Sequence, residues 1–247
     1  LDMVVPIDTP LLSAAPARHN PVVATIAKLA AELVPDGATF QSGIGDTPAA
    51  ITAALRLHRG LKVHSGIVTQ EYQLLAEAGV FDPDAEHITG IAWGDAAFQA
   101  WLPRSGFHFR SALETHDHAI LGAIPGFISI GSALEVDLAG NLNLEWRSGR
   151  RISSVGGAPD YIRGAALSPG GRSIIALQAT TNSGASRIVP ALASPSIPGS
   201  FVDTIVTEHG VARLKGLDPG ARAESLIAIA APEHRDYLKA ASLDTRG

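Results

Sequence analysis

Chemistry could occur at three glycine turns and one cluster of titratable side chains in this sequence. The first turn is Gly43-Ile44-Gly45, which directly follows the β-favouring run Thr39–Ser42 and directly precedes a helix read over Ala49–Leu57. Asp46 or Thr47 can cap that helix, and Pro48 suits its first turn. A glycine loop feeding a helix N-terminus presents backbone N–H groups to an anion, with the helix dipole behind them. The same glycines also serve a plain tight turn. The spacing is not a dinucleotide fingerprint, because the third Gly of G-x-G-x-x-G would fall at Pro48. The second turn is His64-Ser65-Gly66, read as the end of a strand that starts at Leu61. Two strand ends finishing in glycine would place two open turns at one edge of a parallel sheet, where α/β proteins bind ligands. The third turn is Ser153–Gly157. Adjacent Gly156 and Gly157 before a helix can hold a carbonyl oxygen that gains negative charge, or can simply reverse the chain.

The titratable cluster is Glu114-Thr115-His116-Asp117-His118. Its residue types can bind a metal, but no second cluster supplies further ligands at a familiar spacing. The alternative is a helix capped by Asp117 with exposed histidines. His64 could orient a group in its turn. Glu71 reads as a carboxylate in the first turn of a helix, where the dipole favours it. Ser65 lacks the G-x-S-x-G frame of a hydrolase nucleophile. The RSGRR run at Arg147–Arg151 is locally basic and reads as a solvated turn or a contact for a phosphorylated ligand.

The elements that must position these residues alternate. A helix starts at Asn20-Pro21, with Val22, Val23, Ile26, Leu29, Ala30 and Leu33 on one face. Helices are read over Thr69–Gly79, Asp95–Trp101 and Asp117–Leu121, and strands over His87–Trp93 and Phe107–Ser111. This is the rhythm of βαβ units and a parallel sheet. Short strands at Phe127–Ile130, Leu134–Leu138 and Leu142–Trp146 follow, the last two joined as a hairpin by Ala139-Gly140-Asn141. A helix at Asp160–Leu167 and strands at Ser173–Leu177, Ser186–Val189 and Thr204–Thr207 come next. Two helices, Arg222–Ala230 and Glu233–Ala241, close the pattern.

The chain has 247 residues, 46% hydrophobic and 17% charged, with a net charge of −5. That is enough for a sizeable core, and the scattered Lys and Arg do not form a nucleic-acid surface. There are no cysteines, so thiolate metal sites and Cys nucleophiles are excluded. The longest apolar runs are broken by Gly and Pro, and no signal peptide is visible, which leads to the expectation of a cytoplasmic protein without membrane contact. Leu1–Asn20 reads as an extended connector from something else.

Five blocks in order then carry a family resemblance: IGSALEVDL at Ile130–Leu138, GGAPDYIRGAA at Gly156–Ala166, SIIAL at Ser173–Leu177, SRIVP at Ser186–Pro190 and VTEHGVARL at Val206–Leu214. Together they resemble the acetyl-CoA hydrolase/transferase family, a class I CoA-transferase group that includes 4-hydroxybutyrate CoA-transferases. The match runs over Pro21–Ala241 and corresponds to the family's C-terminal half. It implies an α/β domain of the NagB/RpiA-like CoA-transferase type, a mostly parallel sheet flanked by helices with a β-hairpin insertion. It implies residues 1–20 as a linker from a missing N-terminal domain and 21–247 as the C-terminal domain. The implied activity moves CoA between an acyl-CoA and a small carboxylate, with coenzyme A as substrate, no metal, and a homo-oligomeric protein. By the same resemblance Gly43, Ile44, Gly45, Asp46, Thr47 and Asn182 bind CoA, and Gly156 and Gly157 form an oxyanion hole. The family's nucleophilic Glu, third in a His-Thr-Glu-Met type turn, falls at Gly66. Ala158 stands where Gln is usual and Gly131 where Asn is usual. The alternatives are a thioester hydrolase that activates water and a non-catalytic CoA-binding domain.

Overall fold

The computed structural model describes residues 3, 5, 6 and 20–244, so most of the connector read over residues 1–20 lies outside the described residues. Helix α1 (Pro21–Ala31) begins where Asn20 accepts from the Val22 N–H and Pro21 takes the first helical position. The first half continues as β1 (Thr39–Ser42), α2 (Asp46–Ala54), β2 (Lys62–Val68), α3 (Gln70–Glu77), β3 (His87–Ala92), α4 (Ala96–Trp101) and β4 (Phe107–Phe109). Two short helices, α5 (Ala112–Thr115) and α6 (His118–Ala123), lead into β5 (Ile128–Ser132). Then come β6 (Glu135–Asp137), β7 (Leu142–Asn143), β8 (Trp146–Arg147), β9 (Arg150–Arg151), α7 (Ala158–Leu167) and β10 (Arg172–Ala176). The chain closes with β11 (Ile188–Val189), β12 (Thr204–Thr207), β13 (Gly210–Arg213), α8 (Pro219–Ala228) and α9 (Arg235–Asp244).

Eight strands form one sheet in the order β13-β12-β10-β5-β1-β2-β3-β4. Every neighbour in it is parallel except the β12–β13 hairpin. The chain winds outward from β1 to β4 on one side and from β5 to β12 on the other. Strand order therefore reverses between β1 and β5, the position where an open α/β sheet leaves a crevice at its carboxyl edge. Side chains along β10 alternate between two cores. Ile174 and Ala176 join Phe40, Ile51 and Leu55 on one face, and Ile175 and Leu177 join Leu226, Ile227 and Leu238 on the other.

Several expectations shift. The strand from Leu61 does not stop at Gly66: β2 runs to Val68, because β3 pairs with it beyond that glycine, at Ile67↔Ile91 and Val68↔Ala92. The cap of α2 is Gly45, at φ 114° with no side-chain cap bond, and Asp46 is already inside the helix. The hairpin insertion is real, with Val136 opposite Leu142, but β11 adds a parallel third strand to it. The strand read to Trp146 ends at Asn143. Residues Trp146–Arg151 instead form a second hairpin whose turn, Ser148 and Gly149, has positive φ at both positions. That turn takes up the RSGRR run, where Arg151 pairs with Glu145 at 2.6 Å. Helices α5 and strand β13 were not read from the sequence; α5 is a single turn without a long apolar stripe, and β13 is an edge strand.

Candidate active site

A cavity of about 570 Å³ opens at the carboxyl edge of β1, β5, β2 and β3. Its walls are glycines where the strands end or pass: Gly43 and Gly131 on the β1/β5 side, Gly66 and Gly90 on the β2/β3 side, and Gly156 with Gly157 at the start of α7. Gly43 donates to the Ile130 carbonyl at 2.9 Å, which holds the loop down on β5. Gly90 has a local steric reason to be glycine, since a Cβ there would lie 2.8 Å from the carbonyl oxygen of Gly66 on the paired strand. Ile44 is exposed at the mouth and lines the cavity. A second cavity, of about 420 Å³, adjoins the α2 N-terminus and is lined by Asp46, Thr47, Ser132 and Arg187 among others. Arg187 donates to the carbonyls of Thr180 and Leu134, and burial, with Arg147 nearby, holds its guanidinium below the ordinary arginine value.

The sequence-selected residues thus separate. Gly43, Ile44, Gly66, Gly156 and Gly157 meet in the first cavity, and Asp46 and Thr47 line the second. Asn182 is exposed in the Thr181–Ala185 turn and lines neither. Glu71 is buried in the first turn of α3 and accepts from the Thr69 hydroxyl, so it is a helix-end carboxylate away from the cavity wall. Asp117 caps α6 by accepting from the Ala119 N–H, as the sequence suggested.

Two side chains that carry the richest chemistry went unselected. His116 follows α5, and its imidazole lies over both Gly66 and Gly157. A Cβ at residue 66 would fall 2.6 Å from its Cε1, and one at residue 157 would fall 2.5 Å from its Nε2. Tyr161 enters from α7, its ring 4.8 Å from the His116 ring and tilted 52° to it, and its Oη would lie 2.7 Å from the same residue-66 Cβ. The sequence marks His116 only as one member of a polar run, and Tyr161 only as a position in the helix read over Asp160–Leu167 and in the GGAPDYIRGAA block. Nothing local distinguishes the histidine that turns inward from exposed His118.

The electrostatics around residue 66 are unusual. Among the described residues two buried side-chain polar atoms have no hydrogen-bond partner, His64 Nε2 and Tyr161 Oη. Both side chains flank Gly66. Burial holds the His64 imidazole below the ordinary histidine value, partly offset by the nearby Glu114 backbone. Burial pushes the Tyr161 phenol well above its ordinary value, so it stays a donor. The Thr115 hydroxyl is near enough to temper that shift, yet it completes no hydrogen bond with Tyr161. Instead Thr115 Oγ1 lies 2.9 Å from His116 Nδ1 and 3.3 Å from the Ser111 carbonyl. Among the described residues no group of three or more His, Cys, Asp or Glu side chains could hold a metal ion, and no helix is long and apolar enough to cross a membrane.

The comparisons with known proteins agree with this geometry. Residues 94–242 match the model of the acetyl-CoA hydrolase/transferase C-terminal domain. The chain is 34% identical to a 4-hydroxybutyrate coenzyme A transferase of Clostridium kluyveri, over 96% of this chain and 58% of that protein. It is 34% identical to a butyryl-CoA:acetate CoA-transferase of Anaerostipes caccae, over 86% of this chain and 51% of that protein. The crystal structure of RipA from Yersinia pestis superposes with a TM-score of 0.91 at 31% identity, covering 96% of this chain and 56% of RipA. The chain therefore spans about half the length of the relatives it matches. It belongs to the acetyl-CoA hydrolase/transferase family, whose C-terminal domain it carries.

Proposed function

We propose that this chain is the acyl-CoA-handling C-terminal half of a CoA-transferase that moves CoA between an acyl-CoA and a small carboxylate. The observation that carries the reading is the glycine-walled cavity at the strand-order reversal of a parallel sheet, in a chain whose relatives are named for CoA transfer. Gly43–Gly45 offer a backbone that a pantetheine arm can approach closely. The adjoining cavity, with Arg187 and the uncapped N-terminus of α2, suits the anionic phosphates of CoA. Gly156 and Gly157 line the same cavity, and in this reading their backbone N–H groups hold the thioester carbonyl oxygen. Residues 1–20 act as the linker to an N-terminal domain that supplies the rest of the cleft. The whole protein works as an oligomer in the cytoplasm.

Hydrolysis is the second reading, and Gly66 favours it: position 66 has no carboxylate to take an acyl group, and two rings already fill the space a side chain would need. Calorimetric titration with CoA tests the common part. Ile44 is 54% exposed, so Ile44→Glu should leave the melting temperature unchanged while weakening CoA binding at least tenfold. Unchanged affinity would remove CoA from this cavity. Acyl exchange with and without acetate then separates transfer from hydrolysis.

A further inference from the structure

We infer that His116 and Tyr161 form a catalytic pair for direct attack of water on a thioester bound in the glycine-walled cavity. The inference rests on the acyl-CoA reading of that cavity. Three independent observations support it. The first is the position of the imidazole. His116 Nε2 lies 2.8 Å and 2.5 Å from where a Cβ at Gly66 and at Gly157 would stand, so the imidazole occupies the space between those glycines and a thioester in the cavity meets its edge. The second is the hold on the other ring nitrogen. The Thr115 hydroxyl has one proton. When it donates to the Ser111 carbonyl, its oxygen accepts from His116 Nδ1–H, and Nε2 keeps an open lone pair at the cavity. Thr115 is therefore a positioning residue, fully buried beneath the ring.

The third observation is the tyrosine. Tyr161 is only 4% exposed, yet its hydroxyl has no partner among the described residues. An orphaned buried O–H destabilises the fold unless a ligand satisfies it. Tyr161 lines the cavity, so a small turn of its side chain brings the buried hydroxyl to a ligand oxygen that can accept from it.

The step balances with water as the sole co-reactant. His116 Nε2 takes a proton from water while the water oxygen bonds to the thioester carbon. The carbonyl π pair moves onto oxygen, where the Tyr161 O–H donates to it. Collapse restores the C=O bond and breaks the C–S bond. The CoA sulfur leaves as thiolate and takes the proton from the imidazolium, giving free thiol and a carboxylic acid that ionises to solvent.

The test uses the protein together with the N-terminal domain that completes its cleft and acetyl-CoA, following thiol release, with CoA affinity measured in parallel. His116→Ala should bind CoA as before and lose about a hundredfold to ten-thousandfold in kcat. Added imidazole should restore part of that loss, which a merely structural role would not show. Tyr161→Phe should lower kcat by about a hundredfold or more while keeping or raising stability, since it deletes an unpaired hydroxyl. If His116→Ala does not fold, Tyr161→Phe decides alone. Full turnover by either variant overturns the pair, as does a His116→Ala defect that imidazole leaves untouched. Wild-type chain that binds CoA without releasing thiol also overturns it while leaving the CoA-binding reading intact. Failure to bind CoA at all overturns both.

Discussion

Gly66→Ala puts a methyl group into space that two rings already hold. The new Cβ would stand 2.6 Å from His116 Cε1, 2.8 Å from His116 Nε2 and 2.7 Å from Tyr161 Oη. Relaxed contacts between such atoms lie near about 3.5–4.0 Å, so each is short by roughly 1 Å. Tyr161 cannot retreat, because it is buried and packed beside Phe127 at 6.4 Å between ring centroids. The half-buried imidazole must give way, breaking its contact with Thr115. Overpacking of this kind costs about 1–3 kcal/mol. Replacing glycine within a strand returns up to about 1 kcal/mol. The net expectation is a loss of about 1–2 kcal/mol, which in a domain of this size lowers Tm by about 2–8 °C. Urea denaturation midpoints measure it directly. In a His116→Ala background the imidazole is gone but Tyr161 Oη still stands 2.7 Å from the new Cβ, so the same substitution should cost less by about 0.5–1 kcal/mol. The reasoning fails if Gly66→Ala costs under about 0.5 kcal/mol, or costs the same in both backgrounds. The chemical corollary is that Gly66→Glu alone cannot install a working carboxylate, because both His116 and Tyr161 stand in its space.

Further expectations follow from single residues. Gly90→Ala drives its Cβ to 2.8 Å from the Gly66 carbonyl oxygen, a backbone atom, so β2 and β3 must separate there. Faster amide exchange at Ile67 and Ile91 would report it, and wild-type protection would refute it. Arg222 on α8 donates to the carbonyls of Ala139 at 3.1 Å and Leu214 at 3.2 Å, and also to Gly199, which ties the insertion to the sheet. Arg222→Met should cost about 2 kcal/mol or more in a thermal or urea melt, since charged-group hydrogen bonds are worth about 1.5–3 kcal/mol. His64 and His87 are both held below the ordinary histidine value of 6.5 by burial. The unfolded chain therefore binds protons near that pH that the native state refuses. Stability should be insensitive to these groups above about pH 6.5 and fall as pH drops below it. The urea midpoint at pH 5.5 against pH 7.5 checks the sign, and His64→Gln should flatten the profile; an unchanged slope would count against burial as the cause.

The sequence by itself determined the order of elements and the identity of the family. Glycine turns, Asn20, Asp95, Asp117 and Asp218 at helix starts, and period-2 apolar runs such as Ile174–Leu177 are local signals, written within a few residues of where they act. They sufficed to predict a parallel sheet, the hairpin at Ala139-Gly140-Asn141 and a loop at Gly43–Gly45. Tertiary structure decided what surrounds residue 66. Whether β2 stops at Gly66 depends on β3 pairing beyond it, and β3 begins more than twenty positions later in the chain. Whether His116 or His118 faces inward depends on how the short α5 lies against β2 and β3. The orphaned Tyr161 hydroxyl exists only because α7 delivers it into a space closed by a ring forty-five residues earlier, a contact with no local imprint. Secondary structure follows from near-neighbour chemistry, but a site assembled from five separate elements has its geometry set by packing, and packing is a property of the whole fold.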